Sequence, residues 1–336
     1  MKNILIDVKI HEKKFAELKK ISGITVAGVE PSDKSRPLPV ELIRDKHILF
    51  CSAPPQNVWD MKELELIQIR STGYSQLYNL GLVERNTKAC NARGASDVPI
   101  AEWCIAMILN LGRDLRGMIR NQEKGNWDQS AKFQTELRGK KVGFWGYGGI
   151  ARETARLAKA MGLFVSVLTR HGISTRYDVY IVPGTSDVEG VLPDKVFTEG
   201  QERQFLSDLD FLILTMPLTK RTEGIVSEKE LRILPDHAYL LNPARGPLVK
   251  EESLLKALRE GWIAGAALDA HYHYPMPPDH PLWHFPNVIM TPHISGGELI
   301  PHFDERIWDI FCQNVKRHLA GQKLLNELTD EQLKGY

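Results

Sequence analysis

The run Val142-Gly143-Phe144-Trp145-Gly146-Tyr147-Gly148-Gly149-Ile150-Ala151 is built to let main chain approach a phosphate. Gly146, Gly148 and Ala151 satisfy the spacing G-x-G-x-x-G/A, after an apolar run that predicts a strand and before a pattern that predicts a helix. In that setting Gly146 makes the tight turn, Gly148 lets backbone approach a pyrophosphate, and Ala151 permits close helix–strand packing. Tyr147, Gly149 and Ile150 complete the loop, whose amides at the helix start point at the phosphates. The chemistry is dinucleotide binding. About twenty residues further on, a loop specific for NAD carries an acid that holds the ribose hydroxyls. Here Thr169 stands at that place, followed by Arg170 and His171. An acid would repel a 2′-phosphate, whereas Thr169 and Arg170 can bind one. The reading therefore favours NADP, with NAD as the other cofactor.

Parallel α/β architecture is what positions such a loop, and the chain reads that way. Short apolar runs predict strands over 4–8, 47–51, 66–70, 141–145, 164–168, 211–215, 238–241, 264–269 and 288–290. Helical spacing is predicted over 11–20, 98–111, 151–161 and 303–320. The helix over 98–111 is apolar almost all round, which predicts burial, between domains or between subunits. Residues 121–138 are polar and aperiodic, and the passage into a second βαβ array is placed there. Between 171 and 197 glycine, proline, serine and aspartate break the pattern, which predicts a surface insertion, a flap or an oligomer contact. The tail helix is expected to fold back onto the first domain.

The chain has 336 residues, which suits two domains. Its net charge of +1, from 43 basic and 42 acidic side chains, gives no electrostatic footprint for nucleic acid or an anionic membrane. No apolar run reaches the roughly 18 residues of a membrane span, and the N-terminal stretch reads as a first strand rather than a signal peptide. Cys51, Cys90, Cys104 and Cys312 show no metal-ligand spacing, so reduced, buried thiols and a cytoplasmic location are expected.

From residue 217 onward the motifs become specific. The segment 240–249, with Asn242, Ala244, Arg245 and Gly246, resembles the N-x-x-R-G signature of the D-isomer-specific 2-hydroxyacid dehydrogenases. The block 264–269, ending in Asp269, resembles that family's G-A-A-L-D-V. Asp279-His280-Pro281-Leu282-Trp283 and 287–294, with Thr291-Pro292-His293, complete the match, and Pro217-Leu218-Thr219 with Thr222 fits it. Upstream, 91–102, with Val98, resembles the lead into the family's interdomain helix. Ser71-Thr72-Gly73-Tyr74-Ser75 sits where its substrate loop lies.

The resemblance covers nearly the whole chain. It implies two Rossmann-like domains: a coenzyme domain, 98–295, inserted into a flavodoxin-like substrate domain, 1–97 and 296–336. It further implies an active site in the cleft between the two, and a homodimer built partly on the helix over 98–111. The partner is a small 2-oxo or 2-hydroxy acid, with no nucleic acid and no membrane.

The roles follow by resemblance and by residue chemistry. Arg245 presents a planar fork that grips a carboxylate or carbonyl oxygen and stays charged. Backbone amides near Thr72 and Gly73, beside Tyr74, hold the other carboxylate oxygen. His293 is the candidate general acid and base. Val98, Pro217, Thr222, Asn242, Ala244 and Asp269 join the glycine loop as cofactor contacts, Asp269 near the nicotinamide carboxamide. The family pairs its histidine with a glutamate, and Tyr274 occupies that place here. A carboxylate would raise the histidine pKa; a neutral phenol can orient the ring but adds no charge. Two function classes therefore stand: an NAD(P)-dependent reductase or dehydrogenase of a 2-oxo acid, and a nicotinamide-binding sensor or scaffold with weakened catalysis. A non-carboxylate anion as substrate is a third, related reading. His271, Tyr272 and His273 crowd the same region but lack an accompanying carboxylate or cysteine cluster, so no metal site is expected.

Overall fold

A computed structural model describes residues 1–334. The chain forms two compact units, 1–96 with 177–182 and 298–336, and 97–176 with 183–297. The chain crosses between the units at 96/97 and 297/298, and again at 176/177 and 182/183. Tyr177–Val182, inside the stretch read as an insertion, belongs to the first unit.

The first unit runs β1 (Lys2–Asp7), α1 (Glu12–Lys19), β2 (Ile24–Gly28), α2 (Val40–Ile43), β3 (Ile48–Cys51), β4 (Leu66–Ile69) and β5 (Lys88–Cys90). All five strands are parallel, in the order β2-β1-β3-β4-β5, the flavodoxin-like arrangement expected. Alternate residues serve opposite faces of the sheet. Ile4, Ile6, Ile48, Phe50 and Leu66 pack on one side, and Leu5, Leu49, Ile67 and Ile69 on the other. β2 was not anticipated: it is an edge strand, with Ile24 and Val26 half-buried against the core and Thr25, Ala27 and Gly28 exposed.

The second unit holds α3 (Asp97–Gly112), α4 (Leu115–Glu123), β6 (Lys141–Trp145), α5 (Gly149–Ala160), β7 (Phe164–Thr169), β8 (Lys195–Thr198), α6 (Glu202–Leu206), β9 (Phe211–Leu214), α7 (Glu228–Leu231), β10 (Tyr239–Asn242), α8 (Glu251–Glu260), β11 (Gly265–Leu268) and β12 (Val288–Met290). Its seven parallel strands lie in the order β12-β11-β10-β9-β6-β7-β8. The order reverses between β6 and β9, the switch point at which doubly wound sheets bind ligands. The sequence reading ran the insertion through Phe197, but β8 begins at Lys195. This edge strand is largely exposed and pairs only with β7, so polarity masked it. α9 (Pro301–Leu319) and α10 (Asp330–Leu333) return the chain to the first unit, where Trp308 and Phe311 of α9 pack against Phe50.

α3, expected to be buried between domains or between subunits, is covered unevenly within one chain. Ala101, Cys104, Ile108 and Leu111 are buried, while Leu109 is exposed and Ile105 and Met107 are half-buried. Ile105 and Met107 still pack against the core, and Leu109 is left open within one chain. No helix among the described residues is long and apolar enough to cross a membrane.

Candidate active site

Three neighbouring strands of the second unit, β10, β11 and β12, deliver the chemistry from their C-terminal ends. Arg245 follows β10, Asp269 to Tyr274 follow β11, and His293 follows β12. In a parallel sheet these ends open on one edge, so residues far apart in sequence gather there.

The turn carrying Arg245 is shaped by Asn242. Its buried side chain accepts from the Ala244 N–H at 3.1 Å and donates to the Arg245 carbonyl at 2.8 Å. The next residue must be small. A Cβ at Gly246 would lie 2.4 Å from the His271 carbonyl oxygen, so the Arg245 turn and the loop after β11 are in backbone contact. The Arg245 side chain is exposed, and its Nη1 donates to the Ala244 carbonyl at 2.7 Å.

Asp269 is wholly buried, and both its oxygens are taken up by the His293 loop. They accept from Thr291 Oγ1 at 2.6 Å, from the Ile294 N–H at 2.9 Å, and from the Ser295 N–H at 3.0 Å and its hydroxyl. Trp103 Nε1 of α3 donates to Thr291 Oγ1 at 3.0 Å and extends the network. The loop is held tightly enough to keep His293 at φ +56°, a left-handed conformation that costs a non-glycine residue about 1–2 kcal/mol. His293 itself is exposed.

Tyr274 reaches the same place. Its ring lies 5.5 Å from the His293 ring, centroid to centroid. Its hydroxyl accepts from the His271 N–H at 3.1 Å. The His271 imidazole donates from Nε2 to the Thr291 carbonyl at 2.7 Å and thereby ties the loops after β11 and β12. Its Nδ1 is buried without a partner among the described residues.

The glycine loop fits a dinucleotide. Gly146 sits at φ +96°, and a Cβ there would meet Met216 N at 3.1 Å, where β9 ends. Gly148 is the N-cap of α5 with no side chain capping it, and a Cβ there would meet nothing within 4 Å. The approach to the start of α5 at Gly148 is open, which is what an approaching phosphate requires. Tyr147 is turned inward, its hydroxyl donating to Asp187 Oδ2 at 2.7 Å; burial, then that hydrogen bond, raises its pKa.

Thr169 caps the bend after β7 through its hydroxyl, which donates to the Gly172 carbonyl at 2.9 Å, and Arg170 beside it is exposed. Pro217 and Thr222 close one turn after β9, with Thr222 Oγ1 donating to the Pro217 carbonyl at 2.7 Å. Val98 is half-buried at the start of α3. Its neighbour Asp97, not singled out by sequence, flanks Gly149: a Cβ there would lie 1.7 Å from Asp97 Oδ2.

In the first unit, Thr72, Gly73 and Tyr74 follow β4. The Thr72 carbonyl accepts from Asn91 Nδ2 at 2.8 Å, and Ser71 Oγ donates to the Gly73 carbonyl at 2.7 Å. No backbone hydrogen bond among the described residues uses the Thr72 or Gly73 N–H. The Tyr74 ring meets Tyr78 edge to face.

The fold also supplies the carboxylate that sequence reasoning missed near the histidines. Glu251, His273 and His280 bring ligand-type atoms within 4.8 Å of one another. The His280 ring is already committed, however. Its Nδ1 accepts from the Leu282 N–H at 3.3 Å, so Nε2 carries the proton and donates to Glu251 at 2.7 Å. The pair ties the loop after β11 to the start of α8.

Comparison with known proteins agrees with this geometry. The family model of the D-isomer specific 2-hydroxyacid dehydrogenase NAD binding domain matches residues 105–295. A glyoxylate reductase of Thermofilum pendens is 32% identical over 321 residues, 93% of this chain and 90% of its own. The crystal structure of a D-isomer specific 2-hydroxyacid dehydrogenase family protein from Aeromonas salmonicida superposes with a TM-score of 0.78 at 24% identity, covering 98% of this chain and 99% of that one. One from Xanthobacter autotrophicus, in complex with NADPH and MES, gives 0.76 at 22% identity, covering 99% and 100%. The last two show a shared fold.

The chain belongs to the D-isomer specific 2-hydroxyacid dehydrogenases. It is an NAD(P)-dependent oxidoreductase of small 2-oxo and 2-hydroxy acids.

Proposed function

We propose that the chain reduces a small 2-oxo acid of the glyoxylate or sugar-acid kind, with NADP(H) preferred over NAD(H). The observation that carries this reading is the convergence of Arg245, Asp269, Tyr274 and His293 on the ends of three adjacent strands, with Gly246 packed on the His271 peptide. Reduced nicotinamide, when bound, supplies the hydride.

The chain's own residues do the rest. The Arg245 guanidinium holds the substrate carboxylate and polarises the keto oxygen. The amides of Thr72 and Gly73, with Tyr74 alongside, take the other carboxylate oxygen, and the first unit is the substrate domain. His293 gives its proton to the new alkoxide and recovers it in the reverse direction. Tyr274 orients that imidazole without adding charge. Asp269 acts on the cofactor side by fixing the His293 loop. Gly146, Tyr147, Gly148, Gly149 and Ile150 hold the pyrophosphate, with Val98, Pro217, Thr222, Asn242 and Ala244 lining the remainder. Thr169 and Arg170 take the 2′-phosphate.

The exposed apolar side chains Leu109, Leu115 and Ile119 on α3 and α4 support a homodimer, and four reduced thiols suit the cytoplasm.

The test is oxidation of NADPH and NADH by purified protein against a panel of 2-oxo acids. Turnover with one acid and a lower KM for NADPH is expected. Arg170→Ala should remove the preference and leave NADH untouched. Arg245→Ala should lower kcat/KM by about 10²–10³-fold while dinucleotide binding persists. Tighter binding of NADH than NADPH overturns the cofactor assignment, and an active Arg245→Ala enzyme overturns the substrate assignment.

A further inference from the structure

We propose that Asn91 and Asn326 are positioning residues for the 2-oxo acid: buried carboxamides of the first unit that aim the amides of Thr72 and Gly73. This rests on the reading that those amides receive the substrate carboxylate. It also gives a task to part of the segment between β7 and β8, whose role the sequence leaves open.

Gln68 in β4, Asn91 after β5, Asn314 in α9 and Asn326 between α9 and α10 are almost fully buried. Taking a carboxamide out of water is costly unless its donors and acceptors are met. Here they meet one another and main chain. Gln68 Nε2 donates to the Cys90 and Asn91 carbonyls at 3.2 and 3.1 Å, and its Oε1 accepts from Asn314 Nδ2 at 2.9 Å. Asn314 also exchanges two bonds with the Leu325 backbone, at 3.0 and 2.7 Å. A satisfied buried network of this kind holds its members in one arrangement.

Asn326 uses every polar group it has. Its Nδ2 donates to the Asn91 and Arg93 carbonyls at 3.1 and 2.8 Å. Its Oδ1 accepts from the Tyr180 N–H at 3.2 Å, its N–H donates to the Asp178 carbonyl at 3.0 Å, and its carbonyl accepts from the Asn91 N–H at 3.4 Å. Its backbone is left-handed, φ +57°, a conformation that asparagine adopts more readily than most residues. Asp178 and Tyr180 lie in Tyr177–Val182, the part of the β7–β8 connection that belongs to the first unit. Tyr180 is buried in the same apolar cluster as Phe50 and Trp308, and Asp178 pairs with Lys323 at 2.7 Å. A Cβ at Gly94 would lie 2.2 Å from the Tyr180 carbonyl oxygen, so the turn after Asn91 packs directly on this segment.

Asn91 carries the arrangement to the substrate loop. Its Nδ2 donates to the Thr72 carbonyl at 2.8 Å, and its Oδ1 accepts from the Arg93 N–H at 3.2 Å. The next N–H, of Ala92, donates to the Ser71 carbonyl at 2.9 Å. The Thr72 carbonyl and the Gly73 N–H belong to one planar trans peptide and point in opposite directions, as do the Ser71 carbonyl and the Thr72 N–H. Residues 91 and 92 therefore grip both peptides by their carbonyls and aim both N–H groups away from themselves. A hydrogen bond to the carbonyl also polarises the N–H of the same peptide as a donor.

Steady-state kinetics on the whole chain, with glyoxylate varied at saturating NADPH, test this. Asn91→Ala and Asn326→Gly should each raise the KM for glyoxylate about 10-fold, with kcat within about 3-fold of wild type and the dissociation constant for ADP-ribose unchanged. Asn326→Gly keeps the left-handed backbone and so serves where Asn91→Ala fails to fold. Asn314→Ala is the comparison: it deletes buried hydrogen bonds of the same network but none to Asn91 or the loop, and should lower the melting temperature at an unchanged KM. Wild-type KM in Asn91→Ala and Asn326→Gly overturns the proposal, and so does a loss confined to kcat. An equal rise of KM in Asn314→Ala overturns it too, since the network would then only hold the core together. Gly73→Pro deletes one of the two amides and tests the underlying reading. Wild-type KM there overturns the carboxylate assignment itself, whereas a raised KM there beside wild-type KM in the asparagine variants overturns the positioning alone.

Discussion

The His271 N–H donates to the Tyr274 hydroxyl at 3.1 Å, and the Tyr274 ring lies 5.5 Å from that of His293. The residue beside the proposed acid–base histidine is thus anchored by main chain and carries no charge. Reduction needs a protonated imidazole, so it runs fully below the His293 pKa and is lost as pH rises through it. A carboxylate in place of the phenol would stabilise the imidazolium and move that limb upward by about one unit. Tyr274→Glu should therefore extend reduction to higher pH, and Tyr274→Phe should leave the limb in place. The pH dependence of kcat/KM for the three proteins decides it. A limb that does not move with Tyr274→Glu would show that residue 274 does not govern His293.

The contact between Gly246 and the His271 peptide predicts a sharp intolerance. Gly246→Ala places a Cβ 2.4 Å from a carbonyl oxygen, and both partners are backbone. The Arg245 turn or the loop after β11 must move, and a displacement near 1 Å can cost about 10²-fold in rate. Turnover should fall by at least that much while ADP-ribose binding is retained. Wild-type kinetics would refute the close packing.

Asp269 predicts a different balance. Asp269→Asn keeps the size but turns an acceptor into a donor facing N–H and O–H groups already aimed at it. The cost should be about 2–3 kcal/mol of stability, with slack in the loop that sets His293. Calorimetry should show a lowered melting temperature, and kcat should fall more than dinucleotide affinity.

All four cysteines are buried and unpaired. Burial is the largest cause that raises each thiol, Cys312 to about 11 and Cys104 to about 12, and Cys51 and Cys90 are also pushed up. They stay protonated at neutral pH and shielded from solvent, so a disulfide reagent at pH 8 should leave them nearly unreacted until the chain unfolds, when four should titrate. Rapid labelling of the native protein would contradict the burial.

Interior strands, the glycine loop and the Arg245 and His293 motifs could be read from sequence because each is local. An interior strand is apolar on both faces, and a phosphate loop needs small residues at fixed spacing. The edge strands β2 and β8 escaped because each is short and largely exposed, with only one or two half-buried side chains to mark it. α3 was read as buried between domains or between subunits, and Leu109 on it is open within one chain; periodicity cannot tell a core from a surface awaiting a partner.

Sequence by itself determined the two-domain α/β plan, the family, and the residue types that bind a dinucleotide and carry acid–base chemistry, because short-range patterns encode these. Tertiary structure alone decided which groups meet. It spent the Asp269 carboxylate on the His293 loop, set the Tyr274 hydroxyl on the His271 N–H, and brought Glu251 to His280 and Asn326 to Asn91. Such contacts join residues tens of positions apart or more through the ends of parallel strands, or pair groups by how a loop turns, and no local pattern records either.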